Sequence, residues 1–328
     1  MTWATGPVTV RVPATSANLG PGFDSFGLAL TLHDRVSARL VPADVEIRVD
    51  GVGADTADAG EQHLIIRSMR AAFDVIGAQP GGIALHCRNE MPHGFGLGSS
   101  AAAIVAGLIA ARALAGPDGL AGLPDAGLLR LATELEGHPD NVAACLLGGL
   151  TIAWQPDDGV RAVRLEPLPG LIPVVCVPTS PLATAQARQV LPDRVPHADA
   201  AANSARAALL VAALTSRPDL LLPGTEDFLH QRYRADSMPA TADLIATLRA
   251  AGIAAAVSGA GPSALALPAD PAQVTAVATI AGEAGSDWQV LPLRIDPDGA
   301  QLLPAGHQTE AGKRIRPQSP HRPPPGTR

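Results

Sequence analysis

Residues 94–98 read Gly94-Phe95-Gly96-Leu97-Gly98, and Ser99-Ser100-Ala101-Ala102-Ala103 follow at once. Alternate glycines open backbone conformations closed to L side chains and let another group approach the main chain closely. The two serines suit a helix cap, and the alanines behind them are strong helix formers, so this turn feeds a helix. Such a start aims unpaired N–H groups and a positive dipole end at one spot, which suits an anion and most often a phosphate. A flexible turn ahead of a core helix would look the same in isolation, so the rest of the chain has to decide.

One absence narrows the choice. Lys313 is the only lysine of the 328 residues, and it lies near the end of the chain. A Walker-A loop needs a lysine beside its glycines, and Schiff-base chemistry needs one in the core, so both are excluded. The formal charge is −7, but Lys313, Arg314, Arg316, Arg322 and Arg328 stand together in a final stretch without acids. The remainder holds 19 basic against 31 acidic residues. A body that acidic is a poor match for nucleic acid. Residues 305–328 are rich in Pro, Gly, Gln and Arg without apolar periodicity and are expected to be disordered. Cys87, Cys145 and Cys176 are odd in number and widely spaced, which argues for buried thiols in a reducing, cytoplasmic setting. The start shows no signal peptide, and the long uncharged runs are Ala-rich and broken by Gly, Ser and Pro, so no membrane span is expected.

Periodicity supplies a coarse layout. Val8–Ala14 alternates as a strand; Leu28–Leu32, Asp34–Leu40, Val45–Val49 and Ile83–Cys87 read as further strands. Residues 63–76 carry apolar side chains at helical spacing and stop at Gly77. Ser99–Leu114 and Leu123–Leu135 are expected helices. Over Asp157–Gly170 the composition turns to Pro, Gly and charge, which suggests a boundary between a domain of residues 1–160 and one of residues 161–304. The second mixes helices with strands around an antiparallel sheet, with Ser258-Gly259-Ala260-Gly261-Pro262 as a second glycine turn, an α+β pattern.

Four further stretches carry reactive side chains. Thr15–Gly27 is dense in turn formers and holds an amide and a carboxylate, Asn18 and Asp24; an Asx turn and a helix cap would account for both. Glu136-Gly137-His138-Pro139-Asp140-Asn141 places four polar side chains before an apolar segment, where charged groups need partners or a function. Thr184 and Arg188 share one helix face at i, i+4, and a short helix over Phe228–Arg234 presents Arg232 and Arg234.

Taken in order, these stretches resemble the GHMP kinases. Gly94–Ala101 is similar to their phosphate-binding signature. Pro13–Asp24, Glu136–Ala143, Ala183–Arg188, Leu229–Arg234 and Val257–Ser263 resemble motifs of the branch that phosphorylates homoserine. The resemblance spans residues 8–300. It implies a two-lobed α+β fold, with an N-terminal domain like ribosomal protein S5 domain 2 and a ferredoxin-like C-terminal domain. It also implies that ATP lies along Pro92, His93, Gly94, Phe95, Gly96, Leu97, Gly98, Ser99, Ser100, Ala101 and Ala102, with Mg²⁺ held by Ser99 or Ser100 and Glu136. Phe95 stands where that branch often has arginine. The substrate implied is L-homoserine, phosphorylated on its hydroxyl to feed threonine synthesis. Asn18 and Asp24 suit its ammonium, Arg188 and Arg234 its carboxylate, and Thr184, His138, Asp140 and Asn141 complete the pocket. Glu136 and Asp140 are the catalytic candidates; whether Asp140 is a base stays open, since a loose phosphoryl transition state asks little of one. Another small alcohol such as mevalonate, or a non-catalytic nucleotide-binding homologue, are the alternatives. The resemblance also allows a homodimer.

Overall fold

A computed structural model describes residues 2–55, 60–182, 184–285 and 287–304, with the backbone alone for 184–186. The basic tail at 305–328 lies outside the described residues. The chain opens with β1 (Val8–Ala17), β2 (Phe26–Val41) and β3 (Asp44–Gly51), then α1 (Leu64–Ile76) and β4 (Gly82–Asn89). The expected pair of strands at 28–40 is one strand of 16 residues. Its interruption is a bulge: the register against β1 shifts between Pro13, opposite His33, and Ala14, opposite Leu30. Proline has no N–H for the ladder, which is why a bulge is tolerated there.

Next come α2 (Ser99–Leu114), α3 (Gly116–Gly122), α4 (Asp125–Glu136), α5 (Pro139–Leu147), β5 (Leu150–Trp154) and β6 (Arg161–Leu165). Helix α2 is apolar nearly all round, with Ala101, Ile104, Val105, Leu108 and Ala111 buried, as a helix enclosed by protein must be. It packs on β1 and β2, with α1, α4 and α5 around it. Among the described residues the first sheet has seven strands, in the order β11 (Gln301–Leu303), β1, β2, β4, β3, with β5 joining β2 and β6 joining β5.

The second half contains β7 (Val174–Val177), α6 (Thr184–Gln189), α7 (His197–Thr215), α8 (Leu221–Gly224), α9 (Gln231–Arg234) and α10 (Pro239–Ala250). It ends with β8 (Ala254–Val257), β9 (Ala264–Leu267), α11 (Pro271–Glu283), β10 (Gln289–Pro292) and β11 (Gln301–Leu303). The antiparallel order β10-β7-β9-β8 forms the expected second sheet. The period of two divides β7 between two cores. Val174 and Cys176 pack with Leu244, Leu248 and Val277 of α10 and α11, whereas Val175 and Val177 join the large core of the first half. That double burial explains the unbroken apolar sequence of β7. Strand β6 belongs to the first sheet, and β11 returns to pair with β1. The 160/161 division expected from composition therefore falls inside the first sheet, and the change of sheet comes between Leu165 and Val174.

Two glycines illustrate what the packing tolerates. Gly96 has φ +73°, and a Cβ there would lie 2.2 Å from the Ser258 carbonyl oxygen and 2.8 Å from that of Gly261. Gly137 has φ +92° but faces open space. Gly137→Ala is expected to cost about 1 kcal/mol, the left-handed backbone penalty alone. Gly96→Ala is expected to cost more than about 2 kcal/mol, because backbone atoms cannot swing aside. Urea unfolding of the two variants checks the ranking, and equal losses would contradict the packing argument.

Candidate active site

Gly94, Gly96 and Gly98 all have positive φ, +80°, +73° and +68°, so the loop uses its glycines for conformation. Gly98 immediately precedes α2, and its carbonyl accepts the first helical bond, from Ala102 N at 2.9 Å. The loop is pinned on two sides. Thr15 N donates to Leu97 O at 3.0 Å, and the Ser258 hydroxyl lies 2.7 Å from Gly96 O and 2.9 Å from Ser16 Oγ. Leu97 is buried, and Phe95 packs against the large core. An apolar residue at 95 thus serves packing and brings no charge to the loop.

The acidic stretch lies at a junction between helices. Gly137, in the left-handed conformation, ends α4, with its N–H donating to Thr133 O at 2.8 Å; Pro139 starts α5. Both are what a stop and a restart require. The turn leaves Glu136 at the end of one helix and Asp140 in the first turn of the next. Ser100 Oγ donates to Glu136 Oε2 at 2.6 Å. It is thus Ser100, of the two serines, whose hydroxyl meets the carboxylate. Burial pushes the Glu136 carboxyl above its ordinary range, with the Ser100 bond opposing. Glu136 forms no ion pair among the described residues.

Asp140 Oδ1 accepts from His138 Nδ1 at 2.5 Å and from Asn141 N at 2.7 Å. Burial depresses His138, but the hydrogen bond and charge of Asp140 outweigh it and leave the imidazole raised above its usual value. Asn141 is buried, and its side-chain carbonyl accepts from Thr15 Oγ1 at 2.7 Å.

The expected ammonium and carboxylate ligands meet in this structure. Arg188 pairs with Asp24 through two bonds, Nη2 to Oδ1 at 2.7 Å and Nη1 to Oδ2 at 3.1 Å. Arg234 is 1% exposed. Its Nε donates to Ala187 O at 3.0 Å and its Nη1 to His230 Nδ1 at 2.9 Å. Burial, with Arg188 nearby, lowers it to about 10, so it stays charged at neutral pH. Arg232, on the same short helix, is exposed and pairs with Asp199, away from the cluster. Asn18 bridges: its Nδ2 donates to Gly259 O at 2.8 Å while its Oδ1 accepts from Asp24 N at 2.9 Å. The bond to Asp24 N spans six residues, so Asn18 closes a wider loop than the expected Asx turn, and it fixes Asp24.

These groups line one cavity of about 180 Å³, walled by Asn18, Gly94, Gly96, Gly98, Ser99, Ser100, Glu136, His138, Asp140, Asn141, Arg188 and Arg234, with Gly259 and Ala260. Asp24 stands beside it, with a carboxylate oxygen within 4.8 Å of ligand atoms of His138 and Asp140. Helix α6 carries Thr184, whose side chain lies outside the described residues. A second cavity of about 300 Å³ touches the first at Ser99 and Ser100 and continues past His93, Ala102, His63, Leu64 and Ile65 to Asp34. Thr15, Ser258, His230 and Asp34 were not singled out from sequence. The first three lie within recognised motifs, whereas nothing local marks Asp34.

The fold and the paired glycine turns define the class. The family profile "GHMP kinases N terminal domain" matches residues 63–149, and "GHMP kinases C terminal" matches residues 206–287. The chain belongs to the GHMP kinase family. Among relatives, a homoserine kinase of Streptomyces coelicolor is 54% identical over 297 residues, covering 90% of this chain and 94% of that protein. The crystal structure of homoserine kinase from Cytophaga hutchinsonii superposes with a TM-score of 0.81 at 27% identity, covering 92% of this chain and 99% of that one. A putative homoserine kinase from Listeria monocytogenes gives 0.72 at 29% identity, covering 91% and 100%. The α+β expectation is met. No helix among the described residues is long and apolar enough to cross a membrane.

Asp34 allows a test by pH. Its Oδ1 accepts from Glu90 N at 2.7 Å and Met91 N at 3.0 Å, just before the glycine loop. Burial nevertheless pushes the carboxyl from 3.8 up to about 6. The folded value exceeds the unfolded one, so the stabilisation by the neutral acid is present at low pH and is lost as pH rises through 6. Asp34→Asn, which keeps a carbonyl acceptor, should be more stable than wild type at pH 8 by on the order of 2 kcal/mol. The difference should vanish near pH 4. Denaturant unfolding at both pH values checks this, and a gain independent of pH would contradict it.

Proposed function

We propose that the chain transfers the γ-phosphoryl group of ATP to the hydroxyl of L-homoserine, giving O-phospho-L-homoserine and ADP. The observation that carries this reading is the cavity in which a glycine loop opening a helix meets Glu136, Asp140, Arg188 and Arg234, with Asp24 paired to Arg188 and close to Asp140. The helix start and the loop N–H groups receive the phosphates. The larger adjoining cavity, bordered by His63–Ile65 and Asp34, receives the nucleoside. Mg²⁺ fits at Glu136 and Ser100: a half-buried carboxylate without an ion pair among the described residues, beside a hydroxyl oxygen, is the donor set a hard cation prefers. Bound there with ATP, it would neutralise phosphate charge.

The zwitterionic end of the substrate finds complementary groups. Its ammonium replaces one partner of the Asp24–Arg188 pair, and its carboxylate replaces the other and also meets Arg234. An uncharged sugar offers neither exchange, and mevalonate offers one. The hydroxyl is then directed toward Asp140, whose Oδ2 makes no hydrogen bond among the described residues. That oxygen accepts the hydroxyl's hydrogen bond and orients it in line with the γ-phosphorus. Catalysis is mainly positioning and charge stabilisation.

A coupled assay for ADP with ATP, Mg²⁺ and a panel of homoserine, mevalonate, galactose and threonine should give turnover with homoserine alone. Equal turnover with mevalonate, or none with any acceptor, would overturn the assignment. In the same assay Asp140→Asn should chiefly lower kcat. Arg188→Ala should raise the homoserine KM by roughly thirtyfold or more, and an unchanged KM would remove Arg188 from the carboxylate site.

A further inference from the structure

His230 is fully buried, and both ring nitrogens are engaged: Nε2 lies 2.9 Å from Gly20 O, and Nδ1 lies 2.9 Å from Arg234 Nη1. A guanidinium only donates, so Nδ1 must be the acceptor; a carbonyl only accepts, so Nε2 must carry the hydrogen. The surroundings therefore specify one neutral tautomer. Burial holds the ring below the usual imidazole range, Arg234 acting with it and Asp227, the Gly20 bond and Asp24 acting against it. The Phe23 ring stacks beside it, with centroids 5.2 Å apart and planes inclined by 31°. The peptide carrying His230 is itself held, because the Asp227 carboxylate accepts from the backbone N–H groups of Leu229, His230 and Gln231.

The consequence falls on Arg234. Ala187 O takes Nε, while His230 Nδ1 and, at 3.4 Å, Gly259 O take Nη1. Nη2 makes no hydrogen bond among the described residues, and Arg234 lines the cavity. A planar guanidinium with two of its three nitrogens fixed has a single orientation for the third. We infer that His230 is a positioning residue for substrate binding: it accepts from Arg234 Nη1, holds the guanidinium plane so that Nη2 is presented to the substrate carboxylate, and ties that arginine to the loop carrying Asp24. This rests on the reading that Arg234 receives the carboxylate.

Two amide substitutions separate the ring's two bonds. Asn has the reach to keep an oxygen near Nδ1, and so retains the acceptor for Arg234. Gln has the reach to keep an N–H near Nε2, and so retains the link to Gly20 alone. His230→Gln should raise the homoserine KM by about tenfold, the equivalent of one charged hydrogen bond, with kcat little changed. His230→Asn should stay near the wild-type KM. Both should leave the affinity for 3-aminopropan-1-ol, which has no carboxylate, unaltered, measured as substrate or competitive inhibitor. Equal KM increases in Gln and Asn, or an equal loss of affinity for the amino alcohol, would overturn the inference. If His230→Gln does not fold, His230→Asn decides alone, a retained KM supporting the role and a raised one refuting it. Arg234→Gln serves as the separate control: an unchanged homoserine KM there would defeat the carboxylate reading itself, whereas a raised one beside an unaffected His230→Gln would defeat only the role of His230.

Discussion

The site depends on a main-chain seam where the end of β1 is bonded to both glycine turns. Thr15 N donates to Leu97 O, Gly259 N to Ala17 O, and the Ser258 hydroxyl joins Gly96 O to Ser16. Each contact is made by backbone or a short hydroxyl, so the turns approach more closely than side chains would permit. Gly98 shows how closely: a Cβ there would sit 2.0 Å from Thr15 Oγ1. Buried polar groups in such a seam must all be satisfied, and that requirement sets the position of the loop against the second half of the chain. The cavity is what remains between them.

Charge within the cavity follows from the same geometry. Asp24 and Arg188 compensate each other, and Asp140 and His138 form a second pair. Arg234 and Glu136 are left without an ion pair among the described residues. Arg234 is satisfied by neutral acceptors and retains its positive charge. Glu136 accepts one hydrogen bond, from the Ser100 hydroxyl. The free site is thus close to balanced but leaves one charge of each sign without an ion pair among the described residues. A buried guanidinium without an ion partner is costly to stability, and Arg234 is such a group on the cavity wall.

Much of this could be read from the chain. The glycine loop is a local feature governed by backbone stereochemistry, and its three glycines have the positive φ that their spacing suggests. The residues brought to the cavity come from six separate stretches already named in the sequence. The legibility stopped at pairing. Arg232 and Arg234 are equivalent in sequence, yet one points to solvent and Asp199 while the other is buried, because only Arg234 lies under Ala187 and against His230. Asp34 carries no local signal, since its burial is imposed by the bulged β2 and the approach of residues 90–91. Likewise β6 and β11 join the first sheet through long-range ladders that composition does not encode.

The glycine loop that begins the sequence reading shows the division. Its positive-φ conformation, the helix behind it and the affinity of that helix start for anions follow from residues adjacent in the chain, because torsional sterics and capping act over a few residues. Which serine meets Glu136, that Asp24 is engaged with Arg188, and that an imidazole orients Arg234 were decided only in three dimensions. Those contacts join residues from 4 to 164 positions apart, and nearly all of that span is set by how two sheets and their helices close on one another.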